Sequence, residues 1–167
     1  MTESKNRAIY PCTLELVSVT EANRNVYQNL AQCYEAEFSA ITLKKPDADG
    51  SFELDTQLGE GVTGLLLMAE GRPAAIAAIA VKGSDRYEVC EFYVIPSFRN
   101  SSTGMRFAHL IWTTYPGEWE IKQIAGAEYA SHFWRKSITA FGQTVYEEDC
   151  FQDPYWGIVT RQCFAVG

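Results

Sequence analysis

The sequence has no long hydrophobic run. Its longest apolar stretch, residues 73–81, is far shorter than the about 20 residues that a helix needs to cross a bilayer. The N-terminus carries charged residues and lacks the apolar segment that directs secretion. We therefore expect a cytoplasmic protein without a membrane partner.

Cysteine and histidine are too few and too scattered to build a metal site or a disulfide framework. The five cysteines are odd in number and form no Cys-x-x-Cys pair, and the two histidines, His109 and His132, have no ligand spacing around them. We predict no metal, and reduced thiols that are mostly buried.

Positive charge is also scarce. The chain has 14 Lys+Arg against 21 Asp+Glu, which gives a formal net charge of −7, and its basic residues form no stripe. An acidic surface repels nucleic acid and attracts cationic ligands. We therefore expect no nucleic-acid partner.

What the chain does contain is enough apolar sequence for one core. It is 47% hydrophobic and 13% aromatic over 167 residues, which fits a single domain spanning 1–167, with residues 1–11 loose. Hydrophobic periodicity predicts the order β-α-loop-β-β-β-α-β-α-β-β, a mixed α+β sheet with helices packed on it. The predicted strands cover residues 13–19, 64–68, 74–81, 87–95, 119–124, 145–150 and 158–165; the helices run from a cap at Thr20 or Asn23 through 41, over 105–115 and over 128–141; the polar loop covers 44–61.

Residues 91–105, EFYVIPSFRNSSTGM, form the most informative segment. A β-branched and aromatic run stops at Pro96, a short polar turn follows, and a helical pattern begins near Gly104. The first amides of a helix have no partner inside it and lie at the positive end of its dipole, so they favour an anion. Arg99 can add a charge-assisted contact. The segment therefore predicts a phosphate-binding loop.

The same segment resembles the phosphate loop of the GNAT superfamily of acetyl-CoA-dependent N-acyltransferases, R/Q-x-x-G-x-G/A. Two further segments, YPGEWEIKQ at 115–123 and AGAEYASHFWRK at 125–136, resemble a subgroup of small bacterial acetyltransferases, and the resemblance extends over about 26–164. It implies the GNAT fold, a mixed central sheet with splayed central strands flanked by helices. It also implies acetyl-CoA as co-substrate and transfer of acetyl to a primary amine of a small molecule or peptide by direct attack on the thioester.

The resemblance further implies where the coenzyme would lie. Its pantetheine arm would pair with the main chain at the end of the central strand, and its pyrophosphate would rest on the amides of the loop. The residues that this assigns to coenzyme binding are Tyr93, Val94, Ile95, Arg99, Asn100, Ser101, Ser102, Thr103, Gly104 and Met105.

Catalysis would need a base, an oxyanion donor and an acid. Strand alternation puts Glu91, Tyr93 and Ile95 on one face, which makes Glu91 the candidate base; the alternative is a structural ion pair. A main-chain N–H near Tyr93 or Val94 would polarise the thioester carbonyl. Trp134 stands where many family members have an acidic Tyr, and an indole cannot serve as that acid. Tyr129 and Tyr146 are candidate substitutes, unless they only pack, and water is the other candidate acid.

Three departures from the family pattern, at Ser102, Ala127 and Trp134, leave a second function open. Ser102 stands at the first Gly of the loop, where positive φ and close approach to phosphate favour glycine, and Ala127 replaces an Asn. The alternative is a degenerate, non-catalytic GNAT-fold module that binds acyl-CoA or a partner protein; a longer acyl chain is also compatible with the sequence.

The acceptor side is the least specified part of the sequence. Acidic residues on the first helix and the polar loop predict a cleft that attracts an ammonium group; the alternative is a solvated acidic surface. The predicted substrate-binding residues are Glu37, Phe38, Asp47 and Asp49. The exposed edge of the C-terminal strands is also compatible with pairing into a homodimer.

Overall fold

Within the described residues, ten α-helices and β-strands follow one another in the predicted order. The computed structural model describes residues 12–99, 102–142 and 145–167. Each predicted element is present within a few residues of its expected bounds, and a short 3-10 turn, Pro96–Phe98, follows the central strand. The elements are β1 (Leu14–Ser18), α1 (Arg24–Thr42), β2 (Val62–Ala69), β3 (Arg72–Gly83), β4 (Arg86–Val94), α2 (Thr103–Thr114), β5 (Gly117–Ile124), α3 (Glu128–Ala140), β6 (Glu147–Asp153) and β7 (Gly157–Val166).

The seven strands form one sheet in the order β1-β2-β3-β4-β5-β7-β6. Neighbouring strands are antiparallel except β4 and β5, which run parallel and are joined through α2. The predicted α+β class with a mixed sheet is confirmed. No helix in the described ranges is long and apolar enough to cross a membrane.

The two faces of the sheet carry separate clusters of buried side chains. On one face, α2 and α3 cover a cluster that contains Phe107, Trp112, Trp134 and Ile138. On the other face, α1 packs a smaller cluster around Tyr27. β3 separates them with a run of alanines and isoleucines that is buried throughout residues 74–80. Small side chains on both faces of β3 let helices approach from either side.

The start of α1 differs from the prediction in its chemistry. The helix begins at Arg24, directly after Asn23, but the Asn23 side chain does not cap it. Instead, Asn23 Oδ1 accepts a hydrogen bond from the Thr20 amide at 2.7 Å, and Nδ2 donates to the Ser18 carbonyl at 3.1 Å. Asn23 therefore stabilises the turn that leads from β1 into the helix.

β4 and β5 separate before either strand ends. Their parallel pairing runs from Arg86 opposite Glu118 to Val89 opposite Ile121, although β4 continues to Val94 and β5 to Ile124. At the point of separation the register between β3 and β4 slips, which leaves Cys90 as an extra residue in a β-bulge. A bulge bends its strand and increases the local twist. The predicted splay of the central strands is confirmed, and it opens a gap in the middle of the sheet.

The long polar connection between α1 and β2 is held against α1. Gln32 bonds the main chain of Phe52 in both directions, at 2.9 and 2.7 Å. Lys44 Nζ lies 2.8 Å from a carboxylate oxygen of Glu35 and 2.8 Å from one of Asp55. Because Glu35 is only 2% exposed, this ion pair neutralises a charge that would otherwise be buried alone. The connection is therefore a fixed cover on the α1 face of the sheet.

Candidate functional site

A cleft of about 460 Å³ lies where β4 and β5 separate, within the range typical of small-molecule sites. Its walls come from the ends of both strands, the start of α2, the first turns of α3 and one face of α1. The lining is mostly apolar and aromatic, with a few polar groups. We call this space the cleft.

The start of α2 forms one end of the cleft, and Ser102 is its strained entry point. Ser102 has φ 84 and ψ 5, a left-handed conformation that costs a residue with a Cβ about 1–2 kcal/mol. Its carbonyl accepts the Arg106 amide at 2.8 Å, which closes the first helical turn. The backbone therefore has the positive φ for which the family's glycine would be suited, and serine adopts it at a cost.

The first turn of α2 offers main-chain donors to the cleft. Gly104 and Met105 line it, and their amides precede the first residue that can bond within the helix. In the described part of the chain no side chain caps this helix. A Cβ added to Gly104 would lie 3.2 Å from Phe133 Cε2, so glycine allows this turn to approach α3 closely. Thr103 also lines the cleft, whereas Asn100 and Ser101 lie outside the described residues.

Arg99 is engaged within the protein. Its Nη1 and Nη2 donate to the two carboxylate oxygens of Glu37, each at 2.8 Å, and its Nε donates to the Val94 carbonyl at 2.8 Å. The guanidinium also lies 5.2 Å from the centre of the Tyr93 ring. Both side chains of the ion pair are more than 40% exposed, so solvent screens the pair and weakens it. An incoming anion can therefore compete for Arg99.

Glu37 connects this ion pair to an aromatic wall. The Arg99 guanidinium beside it lowers the pKa of Glu37, and the Tyr93 hydroxyl donates to it at 3.0 Å. Burial, together with the Glu37 carboxylate, raises the pKa of Tyr93 to about 12. Phe38 stacks on Tyr34 with 5.3 Å between ring centroids, and both line the cleft. The predicted substrate-binding residues Glu37 and Phe38 are thus brought together.

At the end of β4, some main-chain groups are bonded within the protein and others face the gap. The Ile95 amide donates to the Ala74 carbonyl at 2.9 Å, and the Ile95 carbonyl accepts the Phe98 amide at 2.8 Å, so neither group is available to an arm of a ligand. In an antiparallel ladder the bonding direction alternates. Tyr93 therefore bonds toward β3 as Ile95 does, whereas Val94 and Phe92 direct their main-chain groups into the gap. The main-chain groups of Ile95 are thus occupied and those of Tyr93 face β3, which disfavours their predicted main-chain binding; Tyr93 lines the cleft.

Glu91 is a buried carboxyl on the α1 face of β4. It is 7% exposed, and its Oε1 accepts the Thr56 hydroxyl at 2.7 Å. Its Oε2 has no hydrogen-bond partner in the ranges that the structure describes. Burial raises the pKa of Glu91 to about 7, against the opposing effects of the Thr56 and Tyr34 hydroxyls. A group with this pKa can take up and release a proton near neutral pH.

Glu91 does not itself line the cleft, but Tyr34 connects the two. Tyr34 lines the cleft, and burial, followed by the charge of Glu91, raises the pKa of its hydroxyl. The face of Glu91, Tyr93 and Ile95 follows the predicted alternation, since Tyr93 and Ile95 pack with the α1 cluster while Val94 packs with the opposite one.

Of the remaining predicted residues, Tyr129 and Trp134 lie at the cleft and Tyr146 does not. Tyr129 lines the cleft from the first turn of α3, and it is 68% exposed; partial burial and the nearby Glu37 raise the pKa of its hydroxyl. Trp134 packs edge-on against Phe92, with 4.7 Å between ring centroids. Tyr146 lies at a different surface depression.

The acidic loop residues are not part of the cleft. Asp47 Oδ1 accepts the amides of Asp49 and Ser51, each at 2.9 Å, so Asp47 stabilises a turn. Neither Asp47 nor Asp49 lines the cleft. The alternative interpretation, a solvated acidic surface, describes them better.

Sequence reasoning missed three polar residues near the site: Tyr34, Thr56 and Gln123. Tyr34 lies three and four residues before Glu37 and Phe38 on α1, so helical spacing could have found it. Thr56 had no signal, because it comes to Glu91 from the irregular loop. Gln123 follows Trp119 and Ile121 at two-residue spacing on β5, so all three share the buried face. This spacing could have marked Gln123 as an inward-facing polar group.

Comparison with solved structures identifies the fold. No protein-family model and no curated protein sequence matches the chain. An acetyltransferase from Salmonella typhimurium that modifies the N-terminal serine of a 50S ribosomal subunit protein matches with a TM-score of 0.64 at 12% identity, over 93% of this chain and 96% of that one. The ribosomal-protein-S18-alanine N-acetyltransferase from Escherichia coli matches with a TM-score of 0.61 at 13% identity, over 93% and 95%.

An aminoglycoside acetyltransferase solved with coenzyme A and kanamycin matches with a TM-score of 0.64 at 15% identity, over 92% of this chain and 95% of that one. These proteins are GNAT acetyltransferases. The chain has the GNAT fold, and the resemblance found in the sequence is confirmed at the level of the fold.

Proposed function

We propose that this protein is an acyl-CoA-dependent N-acetyltransferase that moves acetyl from acetyl-CoA to a primary amine. The observation that carries the proposal is the separation of β4 from β5 after Val89. An open strand edge and the first turn of α2 lie at this cleft, and the buried Glu91 carboxyl, with a pKa of about 7, lies behind Tyr34, which lines it. The proteins of the same fold described above, including one solved with coenzyme A, support this assignment.

The coenzyme would be held by main-chain groups more than by side chains. The amides of Gly104 and Met105 would face its pyrophosphate, with the helix dipole favouring the negative charge. The gap-facing main chain of Phe92 would pair with the pantetheine arm, and so would the Val94 carbonyl once Arg99, which bonds it at 2.8 Å, has turned to phosphate. Arg99 would add a charged donor once it exchanges Glu37 for phosphate oxygen.

The reaction needs one proton to leave the amine and one to reach the departing sulfur. The amine nitrogen attacks the thioester carbonyl carbon, a C–N bond forms, and the oxyanion that develops is stabilised by the Val94 N–H. Glu91 accepts the amine proton, with the Tyr34 hydroxyl between the cleft and the carboxylate. The C–S bond then breaks and the thiolate takes a proton from Tyr129, which lines the cleft.

A cationic or amine-bearing acceptor fits the remaining wall. The Glu37 carboxylate accepts the Tyr93 hydroxyl, and the rings of Tyr34 and Phe38 line the same cleft. Carboxylates and aromatic faces both attract ammonium groups. Among proteins of this fold, one modifies a protein N-terminus and another was solved with kanamycin, so we propose a small-molecule or peptide amine in the same role here.

The test is turnover with a variant that blocks the coenzyme end of the cleft. Purified protein is incubated with acetyl-CoA and a panel of amines, and free thiol is followed with time. We expect thiol release that depends on the amine, and its loss in Gly104→Val because the added side chain would meet Phe133, which lies 3.2 Å from a Cβ at that position. Calorimetry supplies the binding measurement. Failure of the wild-type protein to bind acetyl-CoA at high concentration would refute the proposal.

A second function, a non-catalytic module that binds acyl-CoA or a partner protein, is favoured by the strain at Ser102 and by Trp134 in place of an acid. Binding of acetyl-CoA without thiol release from any amine in the panel would support it. Turnover that Gly104→Val abolishes would exclude it.

A further inference from the structure

Gln123 is a polar residue buried at the inner end of the cleft. It lies on β5 two residues beyond Ile121, the last residue that pairs with β4. It is 5% exposed and lines the cleft. Trp119 and Ile121 precede it on the same buried face of β5. The position would suit an apolar side chain, so the amide there needs an explanation.

A chain of hydrogen bonds fixes which way the Gln123 amide points. Arg135 makes a two-pronged ion pair with Glu148, at 2.8 and 2.7 Å. Glu148 Oε2 accepts Gln162 Nε2 at 2.9 Å, and Gln162 Oε1 accepts Gln123 Nε2 at 2.8 Å. An ionised carboxylate only accepts hydrogen bonds. Gln162 must therefore turn its NH₂ to Glu148 and its oxygen to Gln123, and Gln123 must turn its NH₂ to Gln162.

The end of this chain is a single unsatisfied acceptor. Gln123 Oε1 is buried and has no hydrogen-bond partner among the residues that the structure describes. β7, which carries Gln162, lies on the far side of β5 from the gap. Nε2 is directed to β7 and Gln123 lines the cleft, so Oε1 is the polar atom of this amide that is left for a ligand. Buried polar groups in proteins are almost always satisfied, so an acceptor left over at a binding cleft indicates a donor on the ligand.

We propose that Gln123 Oε1 accepts a hydrogen bond from an amide N–H on the arm of the bound thioester, and that Glu148 and Gln162 hold it in that orientation. This inference rests on the proposed function, because the ligand class that fits is an acyl thioester whose arm carries amide groups, as the pantetheine arm does. Such an acceptor discriminates against simple thioesters that lack the N–H. Gln123 is thus a specificity residue, and Glu148 is a positioning residue.

A double-mutant cycle between protein and ligand tests the proposal. Dissociation constants are measured by calorimetry for coenzyme A and for two analogues in which one or the other pantetheine amide is replaced by an ester. We expect one analogue to bind the wild-type protein about tenfold more weakly. Gln123→Met should bind coenzyme A about tenfold more weakly and should no longer distinguish that analogue. If the ester analogue loses the same affinity relative to coenzyme A in the wild-type protein and in Gln123→Met, the inference is overturned, because the N–H then does not contact Gln123.

Glu148 supplies an independent variant at the surface. In Glu148→Gln the residue at 148 can also donate a hydrogen bond, so the amides of Gln162 and Gln123 can both flip. We therefore expect the preference for coenzyme A over its ester analogue to shrink while the fold is kept. Asp149→Asn is the matched control. Asp149 is the next residue on β6, its substitution removes the same charge, and its partner Arg161 does not belong to the series of hydrogen bonds that ends at Gln123. An unchanged preference in Glu148→Gln would refute the positioning role.

If the wild-type protein binds no coenzyme A, the proposed function fails together with this inference; binding without discrimination overturns this inference alone.

Discussion

Replacing Glu91 by glutamine should remove a pH dependence from the stability of the fold. The glutamine side chain has nearly the same shape as the carboxyl, and its amide can still pair with the Thr56 hydroxyl, which lies 2.7 Å from Glu91 Oε1. What the substitution removes is a group that burial holds protonated to about pH 7. The perturbation is therefore electrostatic, with little change in packing.

The magnitude follows from the two pKa values of Glu91. The unfolded chain releases the proton near the ordinary value of 4.5, and the folded chain near 7. Between these values the folded state binds more protons, so the free energy of unfolding falls as pH rises. The contribution of the protonated Glu91 to the free energy of unfolding is complete below pH 4.5 and is lost above pH 7. Since a pKa difference of one corresponds to about 1.4 kcal/mol, the loss is about 3 kcal/mol.

Urea denaturation at several pH values between about 5 and 8 measures this slope. The wild-type protein should lose about 2.5 kcal/mol over that range, whereas Glu91→Gln should be nearly flat. Glu88→Gln is the control on the same strand. The Glu88 carboxylate pairs with Lys82 and Lys122, which hold its pKa below the ordinary value despite burial, so its variant is destabilised across the whole range and keeps the wild-type slope.

The same variant tests the catalytic role of Glu91. The rate of acetyl transfer should rise with pH through about 7 in the wild-type protein, and Glu91→Gln should lose this dependence together with about 10²-fold or more in rate. If wild type and Glu91→Gln show the same slope of unfolding free energy between about pH 5 and 8, the carboxyl titrates at its ordinary pKa and the reasoning is refuted.

Three further variants examine other parts of the structure. Ser102→Gly should raise the free energy of unfolding by about 0.5–1 kcal/mol, because glycine adopts the left-handed conformation without strain, and should tighten coenzyme binding in calorimetry; weaker binding would contradict this. Lys44→Met should cost about 3 kcal/mol in urea denaturation by leaving the buried Glu35 carboxylate without its ion pair; a cost below about 1 kcal/mol would show that the 44–61 connection is held by other contacts. Tyr129→Phe should lower the transfer rate at least about tenfold without changing stability, because this exposed tyrosine would be the acid; Tyr155→Phe, at an exposed turn far along the chain, is the control.

The order of the elements could be predicted because each element has a strong local pattern. The alternation of Trp119, Ile121 and Gln123 marks β5, and the spacing of Phe107, Ala108 and Ile111 marks α2. The bounds were predicted less well, since β-bulges and turns depend on pairing between strands. The bulge at Cys90 is one case: nothing in the sequence of β4 distinguishes it, and only the slip against β3 reveals it.

The site was predicted where it depends on one segment and missed where it depends on several. The face shared by Glu91 and Tyr93 follows from strand alternation, and the positive φ at Ser102 follows from the glycine that the family has there. The Arg99–Glu37 pair joins residues 62 positions apart, and no periodicity links them. The orientation of the Gln123 amide depends on charges from two other elements, so it required the folded structure.

The gap between β4 and β5 also bears on how this chain avoids self-association. Beyond Val89, β4 presents a strand edge that β5 no longer covers, and open edges are templates on which strands of other molecules can pair. Arg99 bonds the Val94 carbonyl on that edge and is itself held by Glu37. A charged side chain across an edge is a common guard against such pairing. In the ligand-free protein, the residue expected to meet the ligand thus also lies across the part of the strand edge where another strand would pair.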